Sequence, residues 1–194
     1  MTNENSRSPQ ANDSETSGKK QPVTVTYLEQ TERPSYAPPP HPTAPAAILR
    51  VKDAPVHFYR YLFRQVGDPW NWVSRRRMDD EALRAIIHHP DVHLHVLYVD
   101  GAPAGFSEID CTNPDIHEIK FFGLAPDYLG RNLGRYFLVN VIDLAWAGAP
   151  KKVQLETCTL DHPAALPLYQ KYGFVVFDQR EGVVELMEKA PYPN

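Results

Sequence analysis

The sequence predicts an α/β domain whose sheet is mixed but mostly antiparallel, with helices on both faces. Three observations carry this. Between residues 93 and 124, three apolar segments follow one another across Asp100-Gly101, a hairpin signal, and Thr112-Asn113-Pro114-Asp115, a turn, so these strands should run antiparallel. Residues 116–124, a helical stretch and residues 152–159 form a strand-helix-strand crossover, which requires its two strands to be parallel. Apolar positions recur at helical steps in 56–66 and again in 130–147.

Taken in order, residues 1–20 are rich in Asn, Ser, Glu, Thr and Lys and nearly lack large apolar side chains. Burial cannot offset their ordering entropy, and a disordered tail is expected. The domain should then occupy 21–190, with 191–194 as a short C-terminal tail. Val23-Thr24-Val25-Thr26-Tyr27-Leu28 alternates as a first strand, and Pro34 to Pro45, with six prolines, forms an extended connector inside the domain. Phe58, Tyr61, Leu62 and Gln65 lie on one side of a helix from Val56 that ends at Gly67. A second helix begins near Asp79, where acids favour the positive helix end, and stops before Pro90. Strands follow at 93–99, 103–110 and 116–124. The helix from Gly130 to Ala147 carries Leu133, Phe137, Val141 and Leu144 on one face and terminates at Gly148, before Pro150. Strand 152–159, helix 163–172 and two closing strands, 173–178 and 183–188, complete the domain.

A chain of 194 residues with 42% hydrophobic content supports one core of ordinary size. A formal charge of -4 argues against nucleic acid as the main partner, since phosphate binding needs clustered Lys and Arg. Arg75-Arg76-Arg77, the one basic run, reads as a solvated helix start. Cys111 and Cys158 lack any paired-cysteine pattern and read as free thiols. No apolar run approaches the ~18 residues that span a bilayer, and the N-terminus lacks the apolar core of a secretion signal. No membrane partner and a cytoplasmic location are the expectations, for a monomer or homodimer.

Function is most legible from Phe121 to Arg135, an aromatic strand that runs through a glycine-spaced turn into a helix. Gly130 and Gly134 let backbone N–H groups crowd inward, and the following helix points its positive end at whatever those amides hold. This reads as an anion cradle suited to a pyrophosphate. A nucleotide P-loop would need Gly-Lys-Ser/Thr after the turn, and a dinucleotide site would need an early strand; neither pattern is present.

Leu129-Gly130-Arg131-Asn132-Leu133-Gly134 resembles the Gln/Arg-x-x-Gly-x-Gly/Ala signature of the GNAT superfamily of acetyl-CoA-dependent N-acetyltransferases. Leu129 replaces the usual Gln or Arg, and Asn132 stands where the middle glycine is expected, a position Asn tolerates at positive φ. Downstream, Leu168, Tyr169, Gly173 and Phe174 match the family's Leu-Tyr-x-x-x-Gly-Phe pattern, while His162 replaces the common Asn at the helix start. The Trp70 and Trp72 segment, with Thr157 to Pro163, looks like a little-described bacterial subgroup. The resemblance implies a splayed central parallel pair, with the pantetheine arm of acetyl-CoA entering the gap against the backbone of Phe122, Gly123 and Leu124. It also implies that the amides of Leu129, Gly130, Arg131, Asn132, Leu133, Gly134 and Arg135 hold the pyrophosphate, with His162 near the cofactor. Acetyl-CoA is then the co-substrate and a small-molecule amine the acceptor.

Acetyl transfer needs a neutral amine, and for a lysine-like amine at pH 7 deprotonation represents roughly 4.6 kcal/mol. A carboxylate would serve as general base. Glu118, six residues before Leu124, occupies the place where histone-acetylating relatives carry their catalytic glutamate; the structural alternative is pairing with Arg or Lys on a neighbouring strand. Glu108 is the second candidate. Tyr169 fits the role of proton donor to the departing thiolate, against a packed core tyrosine. His162 also reads as a cap, and Cys158 as packing rather than a nucleophile. Trp70, Trp72, Phe58, Tyr59 and Tyr61 read as an acceptor wall or, by helical spacing, as core. His93 and His95 share a strand face without ligand-type neighbours, so no metal is expected. Acetylation of protein lysines or N-termini, and a CoA-binding regulatory module without turnover, are the alternative functions.

Overall fold

The computed structural model describes residues 18–187. The expected tails therefore fall almost entirely outside the described residues, although Gly18 already belongs to the domain, its N–H donating to the Glu185 carboxylate at 3.1 Å. The elements run β1 (Lys20–Gln30), β2 (Ala46–Val51), α1 (Val56–Gly67), α2 (Asp80–Ile87), β3 (Val92–Val99), β4 (Ala102–Asn113), β5 (Ile116–Leu124), α3 (Leu133–Trp146), β6 (Lys152–Cys158), α4 (Ala165–Lys171) and β7 (Val175–Glu185). Among the described residues these strands form one sheet in the order β2-β3-β4-β5-β6-β1-β7. Only β5 and β6 run parallel, as the crossover requires.

Local chemistry sets the boundaries. Asp79 caps α2 by accepting the Ala82 N–H at 2.8 Å. Asp100 and Gly101, at φ 50° and 81°, turn β3 into β4 in the left-handed geometry that matches strand twist. Two expectations are corrected. β2 was not anticipated: it emerges directly from the proline-rich connector and pairs only with β3, as an edge strand of modest burial. The two closing strands are one, β7, because the polar run Asp178 to Gly182 that suggests a turn stays paired with β1 throughout, with Arg180 bonded to Asp178 and lying 5.0 Å over the Tyr27 ring.

Helices cover both faces of the sheet. On one, Phe137, Leu138, Val141 and Ile142 of α3 pack with Ile109, Ile119, Val153 and Leu155. There Gln30 ties three elements together, accepting from the Trp146 indole at 2.8 Å and donating to the Tyr172 carbonyl at 2.7 Å. On the other face, Tyr59, Leu62, Phe63 and Val66 of α1 and Leu83 and Ile87 of α2 pack on Leu94, Val96 and Phe106. Among the described residues no helix is long and apolar enough to cross a membrane, and no group of three His, Cys, Asp or Glu side chains could hold a metal ion. His93 and His95 do share a face, ring centroids 6.3 Å apart. Both cysteines are free thiols.

Gly123 is where α1 comes closest to β5: a Cβ built there would lie 2.5 Å from the Val66 methyl, and Val66 is itself fully packed. Gly123→Ala should therefore lower stability by about 1–3 kcal/mol through overpacking, read as the denaturation midpoint; an unchanged midpoint would contradict the close approach. Burial, then the charges of His93 and Arg50, depresses the His95 pKa to about 4. Because the unfolded chain binds this proton more tightly, stability should fall as pH drops from 6.5 towards 4, by up to about 1.4 kcal/mol per pH unit. His95→Gln should flatten that slope, and an equally steep acid slope in the variant would assign it elsewhere.

Candidate active site

The parallel pair does not stay paired. β5 and β6 are in register from Ile116↔Lys152 to Ile119↔Leu155, and there the ladder stops. Beyond it β6 keeps only its β1 partners, through Val25↔Cys158, while β5 keeps only β4, through Gly105↔Leu124. The side of β5 that faced β6 thus presents main-chain groups of Phe122, Gly123 and Leu124 without a strand opposite among the described residues. Such groups need partners, and an extended ligand carrying amides can supply them.

At the end of β5 the chain makes a short 3-10 turn, Pro126–Tyr128, then enters α3 through an exposed bend. Gly130 and Asn132 both take left-handed geometry, φ 73° and 59°, so Asn132 does hold the conformation that a glycine would. The side chain of its N-cap residue, Asn132, makes no capping hydrogen bond. The amides of Leu133, Gly134 and Arg135, in its first turn, have no intrahelical acceptor and carry the positive end of the helix dipole. The Leu129 N–H is committed to the Pro126 carbonyl at 3.1 Å, which leaves Gly130 to Arg135 as the cradle. A Cβ on Gly134 would meet only Leu124, at 3.8 Å, and one on Gly130 would meet nothing. Packing does not demand glycine at 134; without a side chain there, the backbone is open to close approach. Arg131 lies 5.2 Å over the Tyr128 ring, beside these amides, and Arg135 is exposed. Amides, helix dipole and guanidinium groups fit a diphosphate, and the unpaired β5 edge fits the arm attached to it.

Carboxylates stand where the strands part. Glu118 is half-buried and paired at 2.5 Å with Lys120 of its own strand, so the pairing alternative is realised, but along β5 rather than across to a neighbour. A bulge at Lys120 keeps Glu118 and Phe121 on one face, opposite Asp110 and Glu108. Glu156, one residue past the last β5–β6 pair, escaped the sequence reading; its signal was the single acid of β6, two residues after Gln154 on the same strand face. Although Glu156 keeps an exposed surface, partial desolvation of its carboxyl, then the charge of Glu118, raises its pKa above the usual carboxylate range. Glu108 is not available as a base: it is buried, accepts the Tyr59 hydroxyl, and pairs with Arg75 at 2.5 Å.

Around this opening, Tyr169 is buried with its ring 6.3 Å from that of Phe122, and burial, then Asp161, raises its pKa. His162 is exposed; its Nδ1 accepts the Ala164 N–H at 3.0 Å and its ring meets Trp70, a local turn role. Burial, then Asp161, raises the Cys158 thiol, which disfavours a thiolate nucleophile. Of the aromatic group, Tyr59, Phe58 and Trp72 pack in the core beneath α1, while Tyr61 is exposed and Trp70 sits beside His162. Asp161, also missed, accepts from the Trp72 indole at 3.0 Å, the Thr157 hydroxyl at 2.8 Å and the Cys158 N–H at 2.8 Å. It fastens the segment after α1 to the loop after β6, across the opening.

Comparison with known proteins agrees with this geometry. Residues 57–174, more than half of the chain, match the acetyltransferase (GNAT) family. Over 71 residues the chain is 41% identical to the N-alpha-acetyltransferase RimI of Mycobacterium tuberculosis, a match covering 37% of this chain and 42% of that relative. The fold is similar to a putative GNAT-family acetyltransferase from Novosphingobium aromaticivorans (TM-score 0.59, 16% identity, 87% of this chain and 66% of that one). It is equally similar to a GCN5-related N-acetyltransferase from Kribbella flavida (TM-score 0.59, 16% identity, 89% and 61%). A GNAT family acetyltransferase from Elizabethkingia anophelis with acetyl-CoA bound shares the fold at TM-score 0.50 and 20% identity, over 69% of this chain and 78% of that one. A parted parallel pair, an uncapped helix start at its mouth and the match through both segments lead to one assignment: the chain belongs to the GNAT family of acetyltransferases.

Proposed function

We propose that the protein transfers an acetyl group from acetyl-CoA directly to the amine of a small molecule. The observation that carries this is the parting of β5 from β6 after Ile119 and Leu155, beside the uncapped amides of α3. The amides from Gly130 to Arg135 hold the diphosphate, and the free edge of β5 from Phe122 to Leu124 orients the arm. When bound, acetyl-CoA supplies the acetyl group as an activated thioester.

The chain's own groups manage the protons. A carboxylate receives the proton that the amine sheds as its nitrogen bonds to the acetyl carbon, and Tyr169 gives one to the sulfur whose bond to that carbon breaks. Of the two carboxylates, Glu156 is the better base, because its raised pKa brings it closer to that of an amine. The charge of Glu118, itself held by Lys120, helps to raise that pKa. The raised Tyr169 pKa keeps its hydroxyl protonated and able to donate. A raised Cys158 pKa favours direct transfer over an acetyl-cysteine intermediate. The similarity to RimI favours a second reading, acetylation of protein N-termini. A CoA-binding module without turnover is distinguished from both by the absence of thiol release.

Calorimetry should detect acetyl-CoA binding to the wild type and a loss of about tenfold or more in Gly134→Glu, whose carboxylate occupies the cradle while suiting a helix start. Equal affinity in a folded variant would refute the cradle. With an acceptor found by thiol release, kcat/KM should rise with pH as Glu156 ionises, from an acid limb above the usual carboxylate range. Glu118→Gln removes a repulsive charge and should move that limb to lower pH, whereas Glu156→Gln should abolish it and cost about 10²–10⁴ in rate. A limb that persists in Glu156→Gln excludes it as the base.

A further inference from the structure

The face of the sheet that carries the acids continues past Glu156 without a helix over it. Glu118 lies in register with Gln154, and Glu156 follows Gln154 on the same face of β6. On β1, Glu29 stands opposite Gln154 and Tyr27 opposite Glu156; on β7, Asp178 stands opposite Tyr27. α1 and α2 cover this face over β2 to β5, but among the described residues their core takes no side chain from β6, β1 or β7. There Phe177 is 49% exposed, and Val175, in register with Glu29, is 67% exposed. A bulge at Phe177 brings its ring onto that of Tyr27, with centroids 6.2 Å apart. Where β7 ends, the floor is bounded by Arg75-Arg76-Arg77, a 3-10 turn rather than a solvated helix start. The Arg75 and Arg76 side chains are only 13% and 12% exposed, and Arg77 donates to the Glu185 carbonyl at 2.7 Å.

Charges along this floor cancel, except at Glu156. Glu29 is paired with Lys152 at 3.0 Å and Asp178 with Arg180 at 2.7 Å, while Arg180 also lies 5.0 Å over the Tyr27 ring. The Glu156 carboxylate has no ion-pair partner among the described residues, and the charge of Glu118 acts on it. Side chains of facing residues on antiparallel strands stand roughly 5 Å apart, so an amine held at Glu156 has its substituent over Tyr27 and directed to Phe177. We propose that Tyr27 and Phe177 receive the body of the acceptor and make it a monoamine with an apolar or aromatic substituent, such as an arylalkylamine. The inference rests on the acetyltransferase reading and names its substrate class. One unbalanced acid matches one cationic nitrogen. The neutralised, aromatic floor next to it gains by covering an uncharged ring or alkyl chain. A polycationic acceptor would need further acids, and those of the floor are already matched by Lys152 and Arg180.

Thiol release from acetyl-CoA is measured with phenylethylamine, ethanolamine, spermidine and a peptide with a free N-terminus. Phenylethylamine should show kcat/KM at least about tenfold above each of the others. Phe177→Ser and Tyr27→Ser should each remove most of that preference, chiefly through KM, with acetyl-CoA affinity unchanged by calorimetry. Phe177→Leu, which keeps apolar area at the half-exposed site, should retain most of it. A wild-type protein that uses ethanolamine, spermidine or the peptide as well as phenylethylamine overturns the inference and leaves acetyl transfer standing. So does a preference that Phe177→Ser leaves intact in a folded variant. Sedimentation should give the same oligomeric state for the wild type and Phe177→Ser; a dimer that the variant dissociates would assign the floor to a second copy and overturn the inference. Absence of both acetyl-CoA binding and thiol release with every amine overturns the acetyltransferase reading itself, and the substrate class with it.

Discussion

The separation of two co-directional strands organises the rest of the molecule. While β5 and β6 are paired, from Ile116 to Ile119, each satisfies the other's main chain. Once they part, each keeps a single neighbour, and the free inner edges become a place for another extended polar molecule. The parting is supported from both sides: β1 holds β6 in the sheet to Cys158, and β4 holds β5 to Leu124. β1, inserted between β6 and β7, pairs with the edge of β6 that faces away from β5, so β6 stays anchored in the sheet where its other edge is released.

Helix placement then turns an opening into a polarised site. α3 starts where β5 ends, so the positive end of its dipole and its unsatisfied amides meet at the mouth. α1 covers the opposite face so closely that β5 must carry glycine at 123. The bulge at Lys120 presents Glu118 to the same face as Phe121. Acid, aromatic and cationic groups thus come from four separate stretches of sequence, and each is fixed by its own strand, turn or helix rather than by a flexible loop.

How much of this could be read in the sequence differs by element, for physical reasons. β5 was predicted with its observed bounds, and β6 to within a residue, because buried strands flanked by turn residues leave a strong local signal. The left-handed bend before α3 was legible because glycine, asparagine and a helix start must sit together in the chain to make it. β2 and the unity of β7 were not, since edge strands carry weak alternation and their pairing is decided by distant partners. The same holds for side-chain chemistry. Glu108 looked available until Tyr59 and Arg75, from other elements, were seen to enclose it. Arg75-Arg76-Arg77 looked solvated because the carboxylates that draw the first two inward lie eight residues or more away in sequence.

Asp161 connects the two banks of the opening with one side chain, through the Trp72 indole on one side and Thr157 and Cys158 on the other. A cleft laced in this way has its width set by bond lengths rather than by a hinge. Its aperture is thereby a fixed dimension of the fold.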